Sequence, residues 1–208
     1  MKRGALASGT SKAILQLRDG FSGEAIDGAS VNFRLDGASF EPLQKGGGFY
    51  IFLHVSDVAP HEVDITCHGF FDAQVTLTAV SLPLTEPLAQ VIARCDLEPS
   101  ALYAYPPGTT IVRGQVTSSG KPVADAEVFA CFADRLGAWQ WRKTRSSGHE
   151  CGAGSCRGHY VLALPHAAAS AKVNLRFTKD GHASYFDRIT PTRAMTTTVS
   201  ADLQPEMA

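Results

Sequence analysis

Apolar and polar positions alternate with a period of two along most of the chain, the signature of half-buried β-strands. In residues 30–35, Val31, Phe33 and Leu35 point one way while Asn32 and Arg34 point the other. Residues 62–67 repeat the pattern with Val63, Ile65 and Cys67 inward, and residues 126–132 repeat it with Val128, Ala130 and Phe132. Residues 49–55 are nearly continuously apolar, which predicts a central strand covered on both faces with His54 as a structural histidine. Further strands are predicted at 13–18, 71–79, 89–97, 110–116, 138–143, 158–164, 172–177, 185–189 and 195–203. Asp36-Gly37, Gly46-Gly-Gly48 and His68-Gly69 supply turns between them. No segment carries a helical period, so the fold class expected is all-β.

The pattern also repeats on a longer scale. Ser22-Gly-Glu-Ala-Ile-Asp-Gly-Ala-Ser-Val31 returns 97 residues later as Ser119-Gly-Lys-Pro-Val-Ala-Asp-Ala-Glu-Val128. Gly48-Phe-Tyr-Ile-Phe-Leu53 returns as Gly158-His-Tyr-Val-Leu-Ala-Leu164 at an offset of 110, so the second half holds 13 extra residues between these anchors. A self-similarity of about one domain length predicts a duplicated module. The expected organisation is a flexible N-terminus (1–11), a β-sandwich (12–98), a Pro-rich linker (99–108) and a second sandwich (109–205) with an inserted loop at 145–157. The prolines of the linker block strand pairing and stiffen the chain there.

The phrase Gly114-Gln-Val-Thr-Ser-Ser-Gly-Lys-Pro-Val-Ala-Asp-Ala-Glu-Val128, followed by Gly158-His-Tyr-Val-Leu162, resembles the carboxypeptidase regulatory-like or prealbumin-like (transthyretin-like) domains. The resemblance covers most of 108–204 and, more weakly, 12–98. It implies two tandem Greek-key β-sandwiches of prealbumin-like or Ig-like type. It further implies a non-catalytic structural or adaptor protein that docks or positions partner proteins, with phage-tail-like and secretion assemblies among the settings. Function on such a scaffold must still be argued from a site.

Net charge is −1 and no long basic run exists, so a nucleic-acid footprint is not expected. No apolar run approaches the roughly 20 residues that span a bilayer. The start of the chain lacks the apolar core of a secretory signal, so cytoplasmic localisation is the expectation. With five cysteines and no export signal, buried reduced thiols are expected. Edge strands leave self-association open.

Trp139 and Trp141 share a face at spacing two. Core packing is the first expectation for them. Exposed, they and Arg142 would be a binding surface for a protein anchor or, alternatively, a carbohydrate. His149, Cys151, Cys156 and His159 crowd eleven residues of the inserted loop. The spacing leaves three states open: a hairpin tip with reduced thiols, a Cys151–Cys156 disulfide, or a zinc site. No cofactor is otherwise expected. The second half also resembles intradiol ring-cleaving dioxygenases, whose ferric iron needs two tyrosines and two histidines. His159, Tyr160, His166, His182 and Tyr185 do not follow that family's ligand phrase, and the protein is expected not to be an enzyme.

Overall fold

The computed structural model describes residues 12–28, 31–56, 58–80, 87, 91–134, 136–148, 150–151, 154–165, 168 and 171–206, without the side chains of 150–151 and 154–155. The chain divides into two compact units, Met1–Pro99 and Ser100–Ala208. Each is a β-sandwich.

In the first unit, β1 (Lys12–Asp19) pairs antiparallel with β5 (Phe49–Leu53) and parallel with β8 (Ile92–Leu97), while β4 (Leu43–Lys45) adds to β5. The facing sheet has the order β3 (Ala38–Phe40), β2 (Val31–Leu35), β6 (His61–Cys67), β7 (Ala73–Leu77), all antiparallel. Leu15, Leu17, Tyr50 and Phe52 from one sheet meet Phe33, Val63 and Ile65 from the other. The Phe33 ring lies 4.8 Å from Tyr50 and 5.6 Å from Phe52, which locks the layers together.

The second unit has the same plan. β9 (Thr110–Ser118) pairs antiparallel with β15 (His159–Leu164) and parallel with β18 (Thr196–Thr198) and β19 (Ala201–Asp202). The short β10 (Lys121–Pro122) closes a hairpin on β9. The facing sheet has the order β12 (Trp139–Arg145), β11 (Glu127–Ala133), β16 (Val173–Thr178), β17 (Tyr185–Ile189). Val112, Val116, Tyr160 and Leu162 pack against Val128, Phe132, Leu175 and Phe177 between the sheets. Each large side chain buried in this way contributes about 1.5–3 kcal/mol. Ser146 and Ser147 are buried but satisfied. The Ser146 hydroxyl donates to the Val123 carbonyl at 2.7 Å, and the Ser147 N–H donates to the His159 carbonyl at 2.7 Å.

The shared Gly-x-Tyr motif has the same physical cause in both units. Gly48 and Gly158 have φ of +75° and +77° and press against the first strand, where a Cβ would lie 2.3 Å from the Leu17 carbonyl oxygen or 2.6 Å from that of Val116. Their own carbonyls accept hydrogen bonds from Leu17 N–H (2.9 Å) and Val116 N–H (2.8 Å).

Two expectations need correction. The 49–55 segment ends as a strand at Leu53 and is covered on one face: Tyr50 and Phe52 are buried, whereas Phe49, Ile51 and Leu53 are half-buried. A two-layer sandwich leaves every sheet one outer face. His54 is exposed in a left-handed turn (φ 58°) rather than held in a strand. The inserted loop carries a two-stranded ribbon, β13 (Glu150–Cys151) against β14 (Gly154–Ser155). No helix among the described residues is long and apolar enough to cross a membrane.

Candidate functional site

On the β12-β11-β16-β17 sheet, Val128, Ala130, Leu175 and Phe177 fill the core, so the residues between them face out. Strand register assembles the outer face in rows. Trp139 lies opposite Ala133. Trp141 lies opposite Cys131, Cys131 opposite Asn174, and Asn174 opposite Arg188. The next row runs Lys143, Phe129, Arg176, Phe186. Cys131 and Asn174 on the middle strands are low beside Trp139 and Trp141 on one edge strand and Phe186 on the other, which leaves a groove of about 430 Å³, its middle-strand lining completed by Phe129 and Arg176. Trp139 and Trp141 are each 62% exposed and Phe186 is 67% exposed. The expectation of core packing for the tryptophans therefore does not hold.

The electrostatics are one-sided. Arg176 places its guanidinium 4.6 Å from the Phe129 ring centre, and the Lys143 ammonium lies 5.3 Å from the same centre. Lys143 is ion-paired with Glu127. Arg188 donates through Nε to Asn174 Oδ1 at 2.9 Å. Burial pushes the Cys131 thiol pKa up, so it stays a neutral, soft apolar floor.

The corresponding sheet of the first unit has no such face. Its outer positions are Asn32, Arg34, Glu62, Asp64, Thr66 and Gln74, placed in register across β2, β6 and β7. The same strand order thus folds with a wholly polar outer face, and the aromatic face of the second unit is not a demand of the architecture. Contiguous exposed apolar patches of this kind are uncommon on protein surfaces and occur at contact and ligand-binding sites.

Arg142 does not belong to this face. It lies opposite Ala130, in the opposite pleat to the tryptophans, and its Nη1 donates back to the Trp141 carbonyl at 2.8 Å. The alternation of the strand already separates position 142 from 139 and 141. Phe129, Arg176 and Phe186 escape sequence reasoning because they come from three strands whose register the sequence does not print.

The Cys/His loop is only partly described, and His149 and the Cys151 side chain lie outside the described residues. Cys156 is disulfide-bonded, whereas Cys67, Cys95 and Cys131 are in no disulfide. The expectation of reduced thiols throughout therefore fails at Cys156, and a bonded sulfur is not a thiolate donor. His159 opens β15 opposite Gln115 and lines a separate groove of about 490 Å³ with Arg113, Gln115, Cys156 and Thr198. Among the described residues no group of three or more His, Cys, Asp or Glu side chains is placed to hold a metal ion.

Of the tyrosines and histidines expected not to form an iron site, His166 lies outside the described residues. The Tyr160 hydroxyl is buried and donates to the Val199 carbonyl at 2.7 Å, and desolvation pushes its pKa far above the ordinary tyrosine range. Tyr185 tilts against Phe177 at 5.8 Å, and His182 Nδ1 bonds the Asp180 carbonyl at 3.1 Å.

In the first unit, His61 spans two acceptors, with Nδ1 2.6 Å from Asp36 Oδ2 and Nε2 2.9 Å from the Ser56 carbonyl. Both ring nitrogens must donate, so the imidazolium form fits best. The Asp36 hydrogen bond, then that of Ser56, raises the His61 pKa above 6.5, while the His61 hydrogen bond lowers that of Asp36 below 3.8. A raised histidine pKa stabilises the fold fully below the unfolded value and loses that contribution as pH rises through the folded value. Urea denaturation followed by circular dichroism is expected to show lower stability at about pH 7.5–8 than at about pH 6, below the range where thiols titrate, and a smaller difference in His61→Gln.

No family model and no curated protein matches the chain. Among solved structures it is similar to 3-chlorocatechol 1,2-dioxygenase from Rhodococcus opacus 1CP, at 16% identity over 47% of this chain and 60% of that one, with a TM-score of 0.35. It is also similar to shaft pilin SpaA from Lactobacillus rhamnosus GG, at 10% identity over 96% of this chain and 99% of that one, with a TM-score of 0.33. A third is the Bacillus anthracis TIE protein, at 9% identity over 95% of this chain and 34% of that one, with a TM-score of 0.32. Likenesses at these scores carry no argument about what the chain does.

Proposed function

We propose that the chain is a non-catalytic adaptor built from two copies of one sandwich module, the second of which docks a partner protein on the outer face of its β12-β11-β16-β17 sheet. The observation that carries this reading is the contrast between the two outer faces: polar in the first unit, aromatic and cationic in the second. Nothing in the packing asks for Trp139, Trp141 or Phe186 to stand in water. The setting proposed is a larger protein assembly, such as a phage-tail-like or secretion machine; the resemblance of the repeated motif to prealbumin-like domains supports it.

The carbohydrate reading uses the same two tryptophans as stacking platforms. It is less well supported, because the polar groups at the groove are cationic side chains that favour carboxylates over neutral hydroxyls, and the Asn174 side-chain carbonyl already accepts from Arg188. The zinc reading would first require reduction of the disulfide at Cys156.

The double variant Trp139→Ala/Trp141→Ala tests the adaptor reading. A folded chain that no longer retains the partner held by the wild type is the expected outcome. Undiminished retention would place docking elsewhere.

A further inference from the structure

Resting on the adaptor reading, we propose that the occupant of this groove is a short, acidic, extended segment of the partner protein. Its apolar side chains enter between the tryptophans and Phe186, and its carboxylates meet Arg176 and Arg188.

The charge of the face selects this chemistry. Lys143, Arg176 and Arg188 project from it, and Glu127 is already engaged by Lys143. Among the described residues no carboxylate pairs with Arg176 or Arg188, so two guanidiniums flank an apolar groove without a counter-charge. Guanidinium forks bind carboxylates in a fixed bidentate geometry. The spacing suits an extended chain. Trp139 and Trp141 are two residues apart on one strand, about 6.8 Å, and an extended peptide running alongside presents its own same-side residues at that interval. A segment alternating acidic and apolar residues would set its apolar side against the floor and present carboxylates to the rim.

The same observations disfavour other occupants. A second copy of this chain docking through the same face would bring arginines against arginines, and like charges across an interface are costly. A nucleic acid would also stack on aromatics, but it needs a cationic track longer than the groove. Two residues along from the Phe129–Arg176 pair the next outward row is Glu127 and Thr178, and the neighbouring groove there is lined by Asp125, Asp180 and Glu206 with Lys179 as its one lysine or arginine. These carboxylates bound the cationic patch and would repel a polyanion continuing past it.

The test is selection of a random dodecapeptide library on the full chain, followed by titration of the selected peptides. The chain's two tryptophans both line the groove, so intrinsic emission reports on this site alone. The expected peptides combine Asp or Glu with large apolar residues and shift the tryptophan emission to the blue. They are expected to lose about tenfold or more in affinity to the Arg176→Glu/Arg188→Glu variant, whose circular dichroism stays that of the wild type. Their affinity is also expected to fall as salt rises. Peptides that shift the emission but lack acidic residues, or bind the double-Glu variant as well as the wild type, would overturn the acidic segment while leaving the face as a docking surface. Peptides that neither shift the emission nor depend on Trp139 and Trp141 would overturn both. Failure of the library to yield any peptide overturns the inference. So does an emission shift with oligouridylate or an acidic glycan in place of peptide, with the partner then of that other class.

Discussion

Gly114→Val is expected to unfold the second unit. Gly114 pairs with Tyr160 in the middle of β9, where that strand passes from pairing with β18 to pairing with β19. The crossover between those strands drops the Val199 carbonyl directly over the glycine, and a Cβ there would sit 1.7 Å from the Val199 oxygen. That oxygen is also the acceptor of the buried Tyr160 hydroxyl, and the Val199 N–H bonds the Arg113 carbonyl at 2.8 Å. A side chain at 114 must therefore push the backbone of a core crossover outward and orphan a buried hydroxyl. Even alanine should cost about 3–5 kcal/mol, the sum of overpacking and a lost buried hydrogen bond. Valine should exceed what a domain of ordinary stability can absorb. Urea denaturation followed by circular dichroism reads the effect. A Gly114→Val chain with the wild-type transition would show that the crossover is not held in this way.

The tryptophan pair should give the opposite outcome, a loss of function without a loss of fold. Each indole is more than half exposed and leans on small neighbours, so removing both should change stability by no more than about 0.5 kcal/mol each. Phe132, which lies on the core side of the same sheet and is fully buried, would cost about 3–5 kcal/mol on truncation to alanine. Tryptophans at the centre of an interface commonly carry about 2 kcal/mol or more apiece. The double variant should therefore weaken partner binding by about a hundredfold or more. Isothermal titration with the captured partner, beside a urea curve, separates the two effects. A loss of stability equal to the loss of binding would mean that the pair is packing rather than recognition.

Much of the scaffold was legible because a two-layer sandwich imposes one rule, apolar inward at every second residue. Val63, Ile65 and Cys67, and again Val128, Ala130 and Phe132, obey it and are buried. β12 inverts the rule. Its core-side row is Gln140, Arg142 and Thr144, of which Thr144 is buried and Arg142 exposed at the sheet edge, and its tryptophans face out. Reading apolar as inside therefore sends the pair to the core, and only the pairing of Trp141 with Cys131 settles the side. The site was less legible than the fold for a further reason. Phe129, Arg176 and Phe186 are distant in sequence and meet through register alone. At 49–55 the composition misled, since three half-covered apolar residues on an outer face read like a strand buried on both.

Docking on the aromatic face of the second unit is tested most directly by site-specific photo-cross-linking in the native host, with p-benzoylphenylalanine placed at position 141 or 186. Positions 34 and 66 on the outer face of the first unit serve as the internal comparison. A discrete protein adduct is expected from 141 and 186 and none from 34 and 66. An adduct from 34 or 66, with none from 141 or 186, would contradict it.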